Sequence, residues 1–358
     1  MRRHRLTVLV AGLATTALVA AGCASSSAQP TASGPASELR LGFFANVTHA
    51  TALVGLTEGI YEKQLGSTQL RTQTFNAGPA AVEAIFAGAL DATYIGPNPA
   101  INAFLKSKGE AIRVIAGATS GGAALVVQPA IAGPADLEGK TLATPQLGNT
   151  QDVALRAWLK DNGLHTSAAG GGDVRVAPTD NATTLQLFRD GKVDGAWLPE
   201  PWVSRLVLEA GAKVLLDERD LWPDGKFVTT HLVVTTKFLR EHPETVKALL
   251  RAHVETTEWI EQHPDRAKAD VNAQLDALVG KPLPQPVIDR AWQHVEITTD
   301  PVAASLKTSA DHANSVGLLR NGSGADLAGI YDLRPLNAIL ESKGLPVVSD
   351  GGLGAGEG

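Results

Sequence analysis

Between residues 39 and 97 the chain switches repeatedly between strand-length apolar runs and helical stretches, and this alternation narrows the folds open to it. Residues 39–44 form a short apolar run, followed by a loop over 45–49 and a helical stretch through Tyr61. Residues 69–75 read as a second strand that leads through Gly78-Pro79 into an Ala-rich helix ending at Gly88. A third strand, 92–95, ends at Gly96-Pro97. Residues 113–118 and 124–127 have the composition of further buried strands. Such alternation argues for a doubly wound α/β sheet, whose ligands sit beyond the carboxyl ends of the strands.

The pattern echoes itself. Gly88-Ala89-Leu90-Asp91 is followed by Tyr94 and Pro97, and Gly191-Lys192-Val193-Asp194 by Trp197 and Pro199. In both, a helix ends at Gly, an Asp opens a strand and an aromatic residue precedes a Pro-containing loop. The Gly alone is an ordinary helix stop. The repeated order predicts two lobes built alike, with a cleft between them.

Cys23 is the only cysteine, so no disulfide can form within the chain and stability must come from a packed core. It follows Arg2, Arg3 and Arg5, an uncharged apolar run over 6–21, and the small residues Ala20-Ala21-Gly22. This is a secretory signal over 1–22, shorter than the roughly 20 apolar residues of a comfortable membrane span. Small residues before Cys resemble the lipobox of bacterial lipoproteins, whose cysteine is diacylated, although Ala20 stands where Leu is commonest. An ordinary cleaved signal beside a free thiol is the alternative. Residues 23–37 read as a flexible tether and the Gly-rich 343–358 as a flexible tail. With 358 residues, 44% of them hydrophobic, the chain can bury one large or two medium cores. Its net charge of -6 argues against nucleic acid or an anionic membrane as partner.

Leu39 to Phe43, Phe75-Asn76-Ala77-Gly78-Pro79, Glu83-Ala84, Ala87-Gly88, Asp91, Tyr94, Gly96-Pro97-Asn98-Pro99, Asp136-Leu137-Glu138-Gly139-Lys140 and Glu200-Pro201-Trp202 together resemble the nitrate, sulfonate and taurine branch of ABC-transporter substrate-binding proteins. The resemblance covers about 38–342. It implies a two-lobed type II periplasmic-binding-protein fold with two crossover strands, which closes over a small solute by hinge motion. It also implies delivery of that solute to a membrane permease driven by its ATPase. On this scheme lobe 1 combines 38–131 with 227–342, lobe 2 is 132–226, and 124–128 and 231–235 are the crossings. The protein is then an extracytoplasmic monomer held to the membrane by a lipid on Cys23, without cofactor or metal. A helix over 245–262, stopped by His263-Pro264, packs in lobe 1.

Binding residues are expected on the loops at the cleft. The segment 144–150 follows a strand at 141–143 and opens a helix over 151–159. With Asn149 or Thr150 as cap, its amides can hold an oxyanion, or the cap is no more than a cap. Gly78 and Pro79 offer the same in the other lobe, with Asn76 and Gln73 nearby. Asn46, His49, Gly96, Asn98, Thr119, Ser120 and Asn181 complete the polar ring. These loops hold no Arg or Lys, which disfavours multiply charged anions such as phosphate. Glu200 is the one charge, beside Trp197 and Trp202. Facing the cleft it would suit an ammonium group, hence taurine; facing solvent it is a plain loop residue. The alternative ligands are nitrate or a heteroaromatic, thiamine-precursor-like molecule held between Trp197, Trp202 and Tyr94. An enzyme on the same fold is less favoured, since Gly170-Gly171-Gly172 lacks the Gly-Lys-Ser/Thr of a phosphate loop and no nucleophile elbow or metal-binding motif occurs.

Overall fold

β1 (Glu38–Phe44) is buried along most of its length because it lies inside a sheet covered on both faces, whereas its neighbour β2 (Gln69–Phe75) is exposed along most of its length and carries Gln, Arg and Thr, as an edge strand requires. The structure is a computed structural model describing residues 34–319 and 325–355. The signal peptide at 1–22, Cys23 and most of the tether lie outside the described residues.

The remaining strands are β3 (Ala92–Ile95), β4 (Ile112–Gly121), β5 (Ala123–Val127), β6 (Thr141–Thr144), β7 (Arg175–Pro178), β8 (Gly195–Pro199), β9 (Lys213–Asp217), β10 (Val228–Thr235) and β11 (Val295–Ile297). They form two sheets, ordered β11-β4-β10-β3-β1-β2 and β7-β6-β8-β5-β9. Three parallel strands run β2-β1-β3 in one and β7-β6-β8 in the other, and each trio is followed by an antiparallel strand, β10 or β5. The two lobes are therefore topological repeats. Gly88 and Gly191, at φ 70° and 64°, end equivalent helices. The Asp three residues later does the same work in each lobe: a carboxylate oxygen of Asp91 accepts the backbone N–H of Arg40 at the start of β1, and one of Asp194 that of Thr141 at the start of β6, both at 2.8 Å.

The segments expected to cross between lobes each lie wholly within one sheet. Their β-branched, apolar character reflects central strands buried on both faces. In β5, Ala124 and Val126 pack with Phe188 and Leu206, while Leu125 and Val127 pack on the opposite face with Leu155 and Trp197. The chain instead passes between sheets at Gly121-Gly122 and again over 218–227. Both glycines have positive φ, 73° and 75°, and a Cβ on Gly121 would meet the Arg219 guanidinium at 2.7 Å. Lobe 2 thus begins with β5 rather than at 132. The other large departure is the C-terminal segment. Asn337 exchanges two hydrogen bonds with the backbone of Val348, Leu353 packs on the lobe 1 core and the Ala355 amide donates to Tyr331 O, so residues 343–355 are docked rather than free. The expected helix over 245–262 is found as Pro243–Gln262 and ends where predicted.

Candidate ligand-binding cleft

Four helices begin at the junction of the lobes: Ala50–Thr57, Gly78–Phe86 and Pro97–Lys106 from lobe 1, and Thr150–Asp161 from lobe 2. The first-turn amides of any helix lack intrahelical acceptors, and the N-terminal end of the dipole is positive. Residues at or beside these starts line one small cavity, a setting that favours negative charge without a cationic side chain, with the free amides coming chiefly from the Thr150–Asp161 helix because Pro79, Pro97 and Pro99 carry no N–H and the Ala50 amide donates to Val47 O. The cavity there is about 30 Å³, the scale of a single water, so the lobes are in direct contact around it.

On the lobe 2 side, Asn149 caps its helix as expected: Oδ1 accepts the Asp152 N–H at 2.9 Å, and Nδ2 donates to Gln151 Oε1. Asp152 is fully buried and fixes the turn by accepting from Thr144 Oγ1 and the Gly148 amide, while Arg156 at 3.1 Å balances its charge. The Thr150 hydroxyl is buried in this cavity wall without a hydrogen-bond partner. Gly96 faces it from lobe 1, where a Cβ would collide with Thr150 Oγ1. His49 lies on the same wall. Burial drives its pKa down to about 3, and its Nδ1 accepts the Phe44 amide at 3.2 Å, so the ring is neutral with its proton on Nε2. The cradle thus combines Gly78, Gly96, Asn46, His49, Asn149 and Thr150 of the expected ring with Gln151, Thr229 and Thr230, which the sequence reading missed. Thr229 and Thr230 were hidden because their strand was assigned only from residue 231.

Other expected residues serve elsewhere. Asn98 donates to Ser309 O and Thr119 to Thr48 O, both buried bonds that hold lobe 1 together, and Ser120 is a buried strand residue paired with Val228. Pro79 occupies the first helical turn, where no amide donor is needed. Gln73 belongs to the exposed edge strand. Asn76 joins the lobes by donating to Pro145 O at 3.3 Å, and Trp202 joins them by donating to Asn46 Oδ1 at 2.8 Å. Asn181 starts its helix beside a second chamber that also touches Asn46.

Glu200 corrects the expectation of an ammonium partner. It is 1% exposed, and its carboxylate is taken up by the Ser204 amide and hydroxyl and by Arg290 at 3.2 Å. Desolvation pushes its pKa upward, with Ser204 and Arg290 opposing. Arg290 comes from a lobe 1 helix 90 residues away, so the pair ties the lobes rather than facing a solute. The aromatic cage is also absent. Trp197 is buried in the lobe 2 core, donating to Glu218 at 2.7 Å, and Tyr94 is buried in lobe 1 between Tyr61 and His253. Among the described residues no His, Cys, Asp and Glu group could hold a metal ion, and no helix is long and apolar enough to cross a membrane.

Solved structures share this architecture. The alkanesulfonate-binding protein SsuA from Xanthomonas axonopodis pv. citri, solved bound to MOPS, aligns with a TM-score of 0.66 at 21% identity over 80% of this chain and 95% of its own. The nitrate-binding protein NrtA from Synechocystis PCC 6803 aligns with a TM-score of 0.68 at 16% identity over 88% of this chain and 87% of its own. The fold is therefore the two-lobed periplasmic-binding-protein fold. In sequence, the taurine-binding periplasmic protein of Escherichia coli K12 is 28% identical over 204 residues, 57% of this chain and 61% of that protein. A Brucella abortus binding protein is 28% identical over 215 residues, 59% of this chain and 63% of its own length. The chain spans less than two thirds of the length of these relatives. A family model matches residues 32–275, so the chain belongs to the NMT1-like family.

Proposed function

We propose that this protein is the extracytoplasmic solute-binding component of an ABC importer, capturing a small sulfonate-like monoanion between its lobes and delivering it to a permease. The observation that carries this reading is the cradle itself: the start of the Thr150–Asp161 helix, the unpartnered Thr150 hydroxyl and the neutral His49 imidazole line one small cavity, and no Lys or Arg lines it. Donors without full charges match a single delocalised negative charge better than phosphate. With Glu200 engaged by Arg290 and Ser204, nothing in the cradle answers an ammonium group, which favours an alkanesulfonate over taurine.

A thermal-shift screen tests the reading. Millimolar methanesulfonate is expected to raise the melting temperature and phosphate to leave it unmoved, since a ligand at 100 times its Kd adds about 2.7 kcal/mol. Absence of any shift with sulfonates, taurine and nitrate alike would remove the solute-binding assignment. The proposal extends to the N-terminus, where Cys23 carries the lipid that keeps the receptor at the membrane. Cys23→Ala is expected to move the protein from the membrane pellet to the soluble fraction, and unchanged retention would sink the anchor.

A further inference from the structure

The helix that supplies most of the free amides around the cavity carries a carboxylate in its own first turn. Asp152 is fully buried, and no carboxylate, lysine or arginine lines the cavity itself, so this charge sits in the wall behind it. An acidic residue in a first turn usually faces solvent or reaches back to the N-cap amide. Asp152 instead turns into the preceding loop, where Oδ1 accepts the Thr144 hydroxyl at 2.9 Å and Oδ2 accepts the Gly148 amide at 2.9 Å and Arg156 Nε at 3.1 Å. Arg156 lies one turn deeper, 2% exposed, with Nη1 on Ser167 O. At about 1.5 Å per residue, Asp152 is about 3 Å and Arg156 about 9 Å along the helix axis from Thr150. The pair is neutral as a whole, but its negative end is the one nearer the cavity, where it opposes the positive end of the helix dipole.

We propose that Asp152 is a specificity-determining residue that never touches the solute. Its buried carboxylate limits the charge that the helix start accepts, so that a monoanion is admitted and a dianion refused, while Arg156 keeps this limit from excluding anions altogether. The inference rests on the anion-binding reading given above and adds a charge selection to it. The repulsion scales with the charge of the solute, whereas a change in loop shape acts alike on ions of similar geometry. Methanesulfonate and sulfate share a tetrahedral sulfur and differ in charge. Asp152→Asn isolates that charge, because the new amide oxygen can take the Gly148 and Arg156 donors while the amide nitrogen donates to the Thr144 hydroxyl, which rotates to accept.

Titration calorimetry on the full chain with methanesulfonate and sulfate, at one pH and one ionic strength, tests this. Wild type is expected to bind methanesulfonate more tightly than sulfate. Asp152→Asn is expected to gain about tenfold for methanesulfonate and about a hundredfold for sulfate, the order given by a unit charge roughly 10 Å away at an effective dielectric constant of about 20. The double variant Asp152→Asn/Arg156→Met, with neither charge, is expected to lie between wild type and the single variant, its gain for sulfate still about twice that for methanesulfonate on a logarithmic scale. It carries the test if the uncompensated arginine unfolds the single variant. Equal gains for the two ions, a loss for either, or equal wild-type affinities would overturn the charge selection and leave the anion-binding reading standing. Wild type that binds neither ion would overturn both.

Discussion

Gly96→Ala is expected to weaken solute binding about 10- to 100-fold while barely moving the denaturant midpoint. Gly96 has φ −71° and ψ 160°, a conformation any residue adopts, so alanine meets no backbone penalty. Within its own lobe the nearest atom to the new Cβ would be the Thr229 carbonyl oxygen, at an ordinary 3.5 Å. Across the cleft it would strike Thr150 Oγ1. The overlap therefore exists only when the lobes are together, and overpacking of this kind costs about 1–3 kcal/mol. That cost falls on closure and is read as lost affinity, a factor of ten for each 1.4 kcal/mol. Pairing the change with Thr150→Ala removes the colliding oxygen, so the double variant should bind better than the two single effects predict together. Calorimetry gives the affinities, and small-angle scattering with ligand present reports whether the variant still compacts. Wild-type affinity in Gly96→Ala would show that the Gly96–Thr150 contact is not the closing face.

The lobes were legible in the sequence because local patterns encode them. The continuous apolar run of β1, the Gly stops at 88 and 191 and the Asn149 cap each depend on neighbours within a few residues. The Asp91 and Asp194 repeat was visible as a spacing, though its role in holding the first strand of each lobe needed the parallel pairing to be seen. Interlobe relations were not legible. Glu200 was read beside Trp197 and Trp202, yet its partner Arg290 is 90 residues away and no local signal announces it. The crossings were misplaced because a buried central strand and a buried crossing share the same β-branched composition. The glycine pair at 121–122, whose positive φ and crowding by Arg219 and Val295 make the turn possible, was the better marker. Tyr94 and Trp197 mislead for a similar reason: an aromatic residue at a strand end near a cleft serves equally well to fill the core behind it.

The fold's buried titratable groups predict a steep loss of stability in acid. His49, His231 and His253 are all buried, and desolvation lowers their pKa values from 6.5 to about 3, about 4 and about 4. Each is neutral in the folded protein but protonates near 6.5 once unfolded. The unfolded state therefore binds more protons below 6.5, and stability falls as pH drops from 6.5 toward 4. A shift of about 2.5 units is worth about 3 kcal/mol, so three such residues together rival the whole 5–15 kcal/mol of a typical domain. Glu218 acts in the opposite sense. Its burial raises its pKa from 4.5 to about 7 against the hydrogen bond from Trp197, so the folded state holds the extra proton and stability falls as pH rises from 4.5 through 7. Glu218→Gln keeps an acceptor for the Trp197 indole and removes this second slope. Urea midpoints measured from pH 8 to pH 4 should fall steeply below 6.5 in the wild type. The variant should gain about 3 kcal/mol relative to wild type between pH 4.5 and pH 8. A wild-type profile that stays flat to pH 4 would mean that these imidazoles accept protons without leaving the core.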